Sequence, residues 1–176
     1  MRDPLMKEND IHQGRGFTLI EMIIVVMVIA ILVGVVIGVS KMIAARAANE
    51  KTRMYMETIS LAIETYYEST KDYPYQETDI PETPDDWRWT SRDWHAFMRN
   101  KKLYQQLIAV PSAQKRLAAL PEDAVRNIYG ENVFIDGFEM LLDYFRTGGV
   151  GGSPVLISAG PDRTFDTEDD IRSDNR

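Results

Sequence analysis

Between Met22 and Val39 the chain runs for eighteen residues without a charged or strongly polar side chain (MIIVVMVIAILVGVVIGV). Extended back to Phe17 and forward to Ser40, this segment has 24 residues. As a helix it is about 36 Å long, enough to cross a hydrocarbon core of about 30 Å. A secretory signal is a poor match, because its apolar region spans only about 7–15 residues. A buried core helix fits no better, since this one is apolar on every side.

The helical pattern does not stop at the membrane edge. No Pro or Gly lies between Lys41 and Tyr67, and Ala, Met, Glu, Lys and Arg predominate. Apolar residues recur at Met42/Ile43, Ala47, Met54/Tyr55, Ile59, Ala62/Ile63 and Tyr66, a helical stripe. The spacing predicts one helix from about Phe17 to about Ser69, ending near Lys71-Asp72-Tyr73-Pro74, because Pro74 disfavours helical geometry at Tyr73. Its first half suits lipid, and its amphipathic second half calls for a domain packed on it.

Glu21 is the anomaly in the apolar segment. A carboxylate in lipid costs about 2.5–3.5 kcal/mol at mid-membrane and less toward the edge. Either it sits at the headgroup boundary or it has a partner. The residues before it, Gln13-Gly14-Arg15-Gly16, form a polar, glycine-containing stretch that a protease can bind in extended form.

The run Arg15-Gly16-Phe17-Thr18-Leu19-Ile20-Glu21 resembles the type III signal of the type IV pilin and pseudopilin superfamily. The resemblance implies that a prepilin peptidase cuts between Gly16 and Phe17 and that the new N-terminus at Phe17 is N-methylated. Glu21 would then be the fifth residue of the mature chain and an assembly residue. The cut would also leave a cationic amine four residues before Glu21, on the same helical face. In a filament the amine of one copy would meet Glu21 of its neighbour as a charge-assisted pair. The leader departs from the family, which usually has a basic one: Arg2, Lys7 and Arg15 are balanced by Asp3, Glu8 and Asp10. Orientation with the C-terminal domain in the periplasm therefore follows from the resemblance rather than from the charge count.

Composition narrows the chemistry of the rest. There is no cysteine, which excludes disulfides and thiolate sites, and the net charge of −7 argues against nucleic acid as a partner. Residues 76–86 read as an exposed loop with two prolines. Trp87, Trp89 and Trp94 lead into a helix from Asp93 to about Ala109, with shorter helices expected at Ser112–Leu120, capped by Ser112, and at Glu122–Tyr129. This aromatic-rich stretch is either extra core or a contact surface. His95 is read as a solvated helix position. Three short strands follow, Asn132–Asp136, Met140–Arg146 and Pro154–Ser158, with Asp136-Gly137 as a tight turn.

From Asp162 to Asp170 five acids stand against a single Arg. Such a loop is either a solvated acidic tail or an oxygen-only site for a hard cation. The sequence SAGPD followed by TEDDI resembles the calcium loop of the major, G-type pseudopilin of type II secretion systems. Position by position, the resemblance implies Ca²⁺ held by Asp162, Asp169 and the carbonyl of Ala159, with Asp170 and Asp166 as further candidates.

The expected fold is α+β, a pilin-like ladle with a long N-terminal helix, part transmembrane and part amphipathic, packed on a small antiparallel sheet with extra short helices inserted. The expected organisation is a leader (1–16), a transmembrane and polymerisation helix (17–40), its amphipathic continuation (41–74), a helical insert (75–131), and a sheet with an acidic calcium loop (132–176). The resemblance implies a non-enzymatic, single-pass inner-membrane subunit of a type II secretion pseudopilus. Its partners would be copies of itself, the prepilin peptidase, minor pseudopilins and the inner-membrane assembly platform. The alternatives are a type IV pilin or competence-type filament subunit, or an anchored binding module that does not polymerise. A membrane-tethered hydrolase using the acidic loop is disfavoured, because it lacks histidine ligands and a general base.

Overall fold

A computed structural model of the chain describes residues 17–84, 86 and 89–174. The leader with its expected cut after Gly16, and Trp87, lie outside the described residues. Helix α1 spans Leu19–Thr70, close to the span expected from the sequence. The chain divides into two units between Lys41 and Met42.

In the first unit α1 is apolar and exposed all round, from Leu19 through Ile37. Length and composition suffice for it to cross a membrane. Near its end the Ser40 hydroxyl donates back to the Val36 carbonyl at 2.8 Å, so this polar group is satisfied within the helix.

In the second unit α1 turns one face inward. Thr52, Tyr55, Met56, Ile59, Ala62 and Ile63 are at most 2% exposed, and their spacing of three and four residues is that of a helix face. Met42, Ile43 and Met54, which belong to the expected stripe, are exposed. The helix ends at Lys71, whose φ of 63° is left-handed and whose N–H donates to the Tyr67 carbonyl at 2.7 Å. The turn beyond is held in place: Tyr73 stacks on Tyr67 at 4.5 Å, and the Tyr144 hydroxyl donates to the Pro74 carbonyl at 2.9 Å.

Helix α2 (Ser91–Ala109) starts in a capping box between Thr90 and Asp93. It stops at Val110, ahead of a proline. Helix α3 is Pro111–Leu117, shorter than expected, and its cap position is Val110 rather than Ser112. Pro111 explains the shift, because its fixed φ suits the first helical position. Ser112 sits inside the first turn, with its hydroxyl 2.8 Å from that of Ser69. The α2 aromatics gather with Trp89: Trp94 stacks on Phe97 at 5.3 Å, and the Trp89 and Trp94 indoles donate to the Tyr129 hydroxyl and the Pro81 carbonyl.

The helix expected over 122–129 is instead one 3₁₀ turn (Glu122–Ala124) followed by strand β1 (Val125–Ile128). Two features override the helical pattern. Asp123 is gripped by α1, accepting from the Tyr55 hydroxyl at 2.5 Å and from Lys51 at 2.7 Å. Tyr129 and Gly130, both at positive φ, form the two-residue turn that pairs β1 antiparallel with β2 (Glu131–Phe134). Gly130, which as a glycine could equally have ended such a helix, is a hairpin residue.

Strands β3 (Leu142–Phe145), β4 (Val155–Ser158) and the unanticipated β5 (Ile171–Arg172) form a second antiparallel sheet in the order β3-β4-β5. Buried Asn100 of α2 joins the two sheets. It donates to the carbonyls of Phe134 and Leu142 at 2.7 and 2.6 Å and accepts from the Phe134 N–H at 2.8 Å. The main core brings Met56, Ile59 and Ile63 of α1 against Leu103 and Leu107 of α2, Phe134, Leu142, Tyr144 and Leu156. The result is an α+β, pilin-like architecture in which the long helix packs on small antiparallel sheets.

Candidate functional site

Two places carry the residues singled out in the sequence. The first is the start of α1. Thr18 N–H and Thr18 Oγ1 both donate to Glu21 Oε2 at 2.8 Å, and the Glu21 N–H donates to Thr18 Oγ1 at 3.3 Å. This is a capping box: two helix-end donors that would otherwise lack partners in lipid are satisfied reciprocally. Glu21 therefore already has one partner in a single copy, a role not foreseen for it. The signal was present, since Thr18-Leu19-Ile20-Glu21 has the Thr-x-x-Glu spacing of such a box. Both contacts to the carboxylate fall on Oε2 and neither on Oε1. Phe17 stands just before the box and is 77% exposed.

The second place is the loop between β4 and β5. Ala159 is fully buried, and Gly160 takes a φ of +63°, with Asp169 packed so closely against it that a Cβ would collide with the Asp169 carbonyl. The loop folds back on itself through its acids. Asp162 Oδ1 accepts from the Thr164 N–H at 2.8 Å. Asp169 accepts from the Thr167 hydroxyl at 2.7 Å and from the Asp162 N–H at 3.0 Å. These two bonds, the Thr167 hydroxyl first, hold the Asp169 carboxyl below its usual pKa.

Asp170 is different. One oxygen accepts from the Asp166 N–H at 2.9 Å, while the other is buried and has no hydrogen-bond partner. Burial pushes its pKa up. Asp166 turns away from its neighbours to Arg92 of α2, whose Nε lies 2.8 Å from it. The same guanidinium also pairs with Asp143, which is fully buried and bound bidentately by Arg99, and lies 4.4 Å over the Phe165 ring.

The structure thus brings Asp162, Asp169 and Asp170 into one loop beside Ala159 and assigns Asp166 to an ion pair. Among the described residues no three acidic or histidine side chains converge as a ready ligand set. Arg92 and Asp143 escaped the sequence reading because 51 residues separate them and neither belongs to a local motif. His95 is exposed on α2, as expected.

Residues 12–37 match the family model of the prokaryotic N-terminal methylation motif, the signal found in type IV pilin-like proteins. No curated protein and no solved structure matches the chain. The motif supports the pilin and pseudopilin superfamily and, with it, membrane anchoring, prepilin processing and filament assembly.

Proposed function

We propose that this chain is a non-enzymatic structural subunit of a type II secretion pseudopilus. A prepilin peptidase cuts it between Gly16 and Phe17, Phe17 is N-methylated, and α1 anchors the product in the inner membrane with the second unit in the periplasm. Copies then polymerise through α1, alongside minor pseudopilins and on an assembly platform. The observation that carries this reading is the Thr18–Glu21 box, inside a methylation motif, at the head of a helix whose first half is apolar and exposed on every side. A helix exposed on all sides is unsuited to a lone copy in water and suited to lipid, then to packing among identical helices.

The cationic N-terminus of a neighbour would take the Oε1 side of Glu21 as a charge-assisted pair. The intact mass of the protein from membranes tests the processing: loss of residues 1–16 with one added methyl group is expected, and an uncut chain would refute it. Glu21→Ala is expected to leave the protein inserted but absent from filaments. Wild-type filament yield from that variant would remove the pairing role.

The acidic loop is proposed to hold Ca²⁺ through Asp162, Asp169, Asp170 and the carbonyl of Ala159. Support comes from an oxygen-only donor set and from the buried, partnerless oxygen of Asp170. Because the acids do not converge as three side chains, backbone carbonyls would supply as much of the shell as carboxylates do. Thermal melts should rise with Ca²⁺ and fall with chelator. No shift, or equal stabilisation by Mg²⁺, would refute the site.

A further inference from the structure

The cation site proposed above takes a backbone carbonyl from Ala159, and a carbonyl cannot aim itself by a side-chain rotation. The Ala159 carbonyl and the Gly160 N–H belong to one planar trans peptide unit, in which they point in opposite directions. Whatever fixes that N–H therefore fixes the carbonyl as well.

The group that fixes it is Ser158, the fully buried last residue of β4. The Gly160 N–H donates to Ser158 Oγ at 3.1 Å, a turn closed around Ala159. The hydroxyl has one proton, and it donates this to Asp136 Oδ2 at 2.5 Å. With the proton committed there, an oxygen lone pair is left facing Gly160. Asp136 is itself immobilised. Its Oδ1 accepts from the Phe138 and Met140 N–H groups at 2.8 and 2.9 Å, and the Gly137 N–H beside it donates to Thr52 Oγ1 of α1 at 2.9 Å. Asp136 is 1% exposed and, among the described residues, in no ion pair. A buried carboxylate outside an ion pair weakens a fold, so stability alone does not account for an acid at this position.

We propose that Ser158 and Asp136 are positioning residues for the cation site: Asp136 orients the Ser158 hydroxyl, which captures the Gly160 N–H and so sets the direction of the Ala159 carbonyl. The inference rests on the Ca²⁺ reading of the acidic loop. Asp169 packs against Gly160, so a second proposed ligand leans on the same peptide. The Asp136-Gly137 turn and Thr52 root this arrangement in α1.

The test titrates CaCl₂ into the full chain in detergent by calorimetry, beside ion-free melts near pH 7. Ser158→Ala keeps the Asp136 charge but removes the hydroxyl, and should weaken Ca²⁺ binding at least about tenfold, the usual effect of losing a group that orients a ligand. Should that variant not fold, Ser158→Cys, similar in size but a weak acceptor, takes its place. Asp136→Asn sets an amide donor against Ser158 Oγ. It should weaken Ca²⁺ binding comparably while raising the ion-free melting temperature, whereas a merely structural role would lower both. Unchanged affinity in either the Ser158 variant or Asp136→Asn overturns the proposal; a loss confined to Asp136→Asn would be the effect of its charge alone. A joint fall of affinity and ion-free melting temperature in Asp136→Asn overturns it too. If the unmodified chain binds no Ca²⁺, the calcium reading itself fails, and the positioning role falls with it.

Discussion

Asn100 shows how one side chain can replace part of a sheet. It lies on the buried side of α2 and makes three hydrogen bonds to the backbones of β2 and β3. Replacing it with Ala leaves a buried N–H and two carbonyls unpaired, at about 1–3 kcal/mol each before relaxation. Asn100→Ala should therefore lower unfolding free energy by about 3 kcal/mol, measured by urea denaturation. Asp136 offers a pH test. It is buried and accepts from the Phe138 and Met140 N–H groups and from the Ser158 hydroxyl. Burial raises its pKa above 3.8, so the folded state favours the protonated form. Any stability it adds is present below the unfolded pKa and is lost as pH rises through the higher folded value. Asp136→Asn should raise the melting temperature near pH 7 and bring no gain near pH 3. Single residues were legible where their partners were near in sequence. Glu21 stood out as an acid among apolar neighbours, whereas Asn100 looked like one more polar residue on a helix.

At the level of elements, the sequence marked α1, α2 and strands β2, β3 and β4 through periodicity and turn residues. It missed β1 and β5 for definable reasons. β1 is four residues long and follows acids and alanine that favour a helix, and only contacts from Lys51 and Tyr55 at long range decide otherwise. β5 has two residues, too few to show any period, and exists because β4 offers it an edge. Gly137 marks a tight approach rather than merely a turn: its N–H donates to Thr52 of α1 at 2.9 Å, and any Cβ would strike the Ala48 carbonyl. The acidic loop depends likewise on a distant element, since Arg92 of α2 ties Asp166 to the buried Asp143. Arg92→Gln should speed amide hydrogen exchange across residues 162–170 while lowering global stability by only about 1 kcal/mol, because Arg99 still holds Asp143.

For the whole molecule, the α+β plan was readable because one helix carries two different hydrophobic patterns in succession, continuous and then striped. The second unit, from Met42 onward, encloses its own core of α1, α2 and strand residues. A fragment beginning at Met42 is therefore expected to fold alone and stay in solution without detergent, as checked by circular dichroism and light scattering. The full chain should require detergent. The acidic loop was legible as a cluster of charge, but its internal hydrogen bonds and its tie to Arg92 were not, since they depend on left-handed turns at Gly160, Arg163 and Asp166.

The start of α1 has a consequence for how copies wait. The Glu21 carboxylate accepts two hydrogen bonds on one oxygen from Thr18 of its own chain, so a solitary copy placed in a bilayer would carry a partly satisfied anion rather than a bare one. If the chain assembles as proposed, an idle reservoir of subunits would be chemically tolerable, and recruitment from it would engage the Glu21 oxygen that Thr18 leaves unbonded.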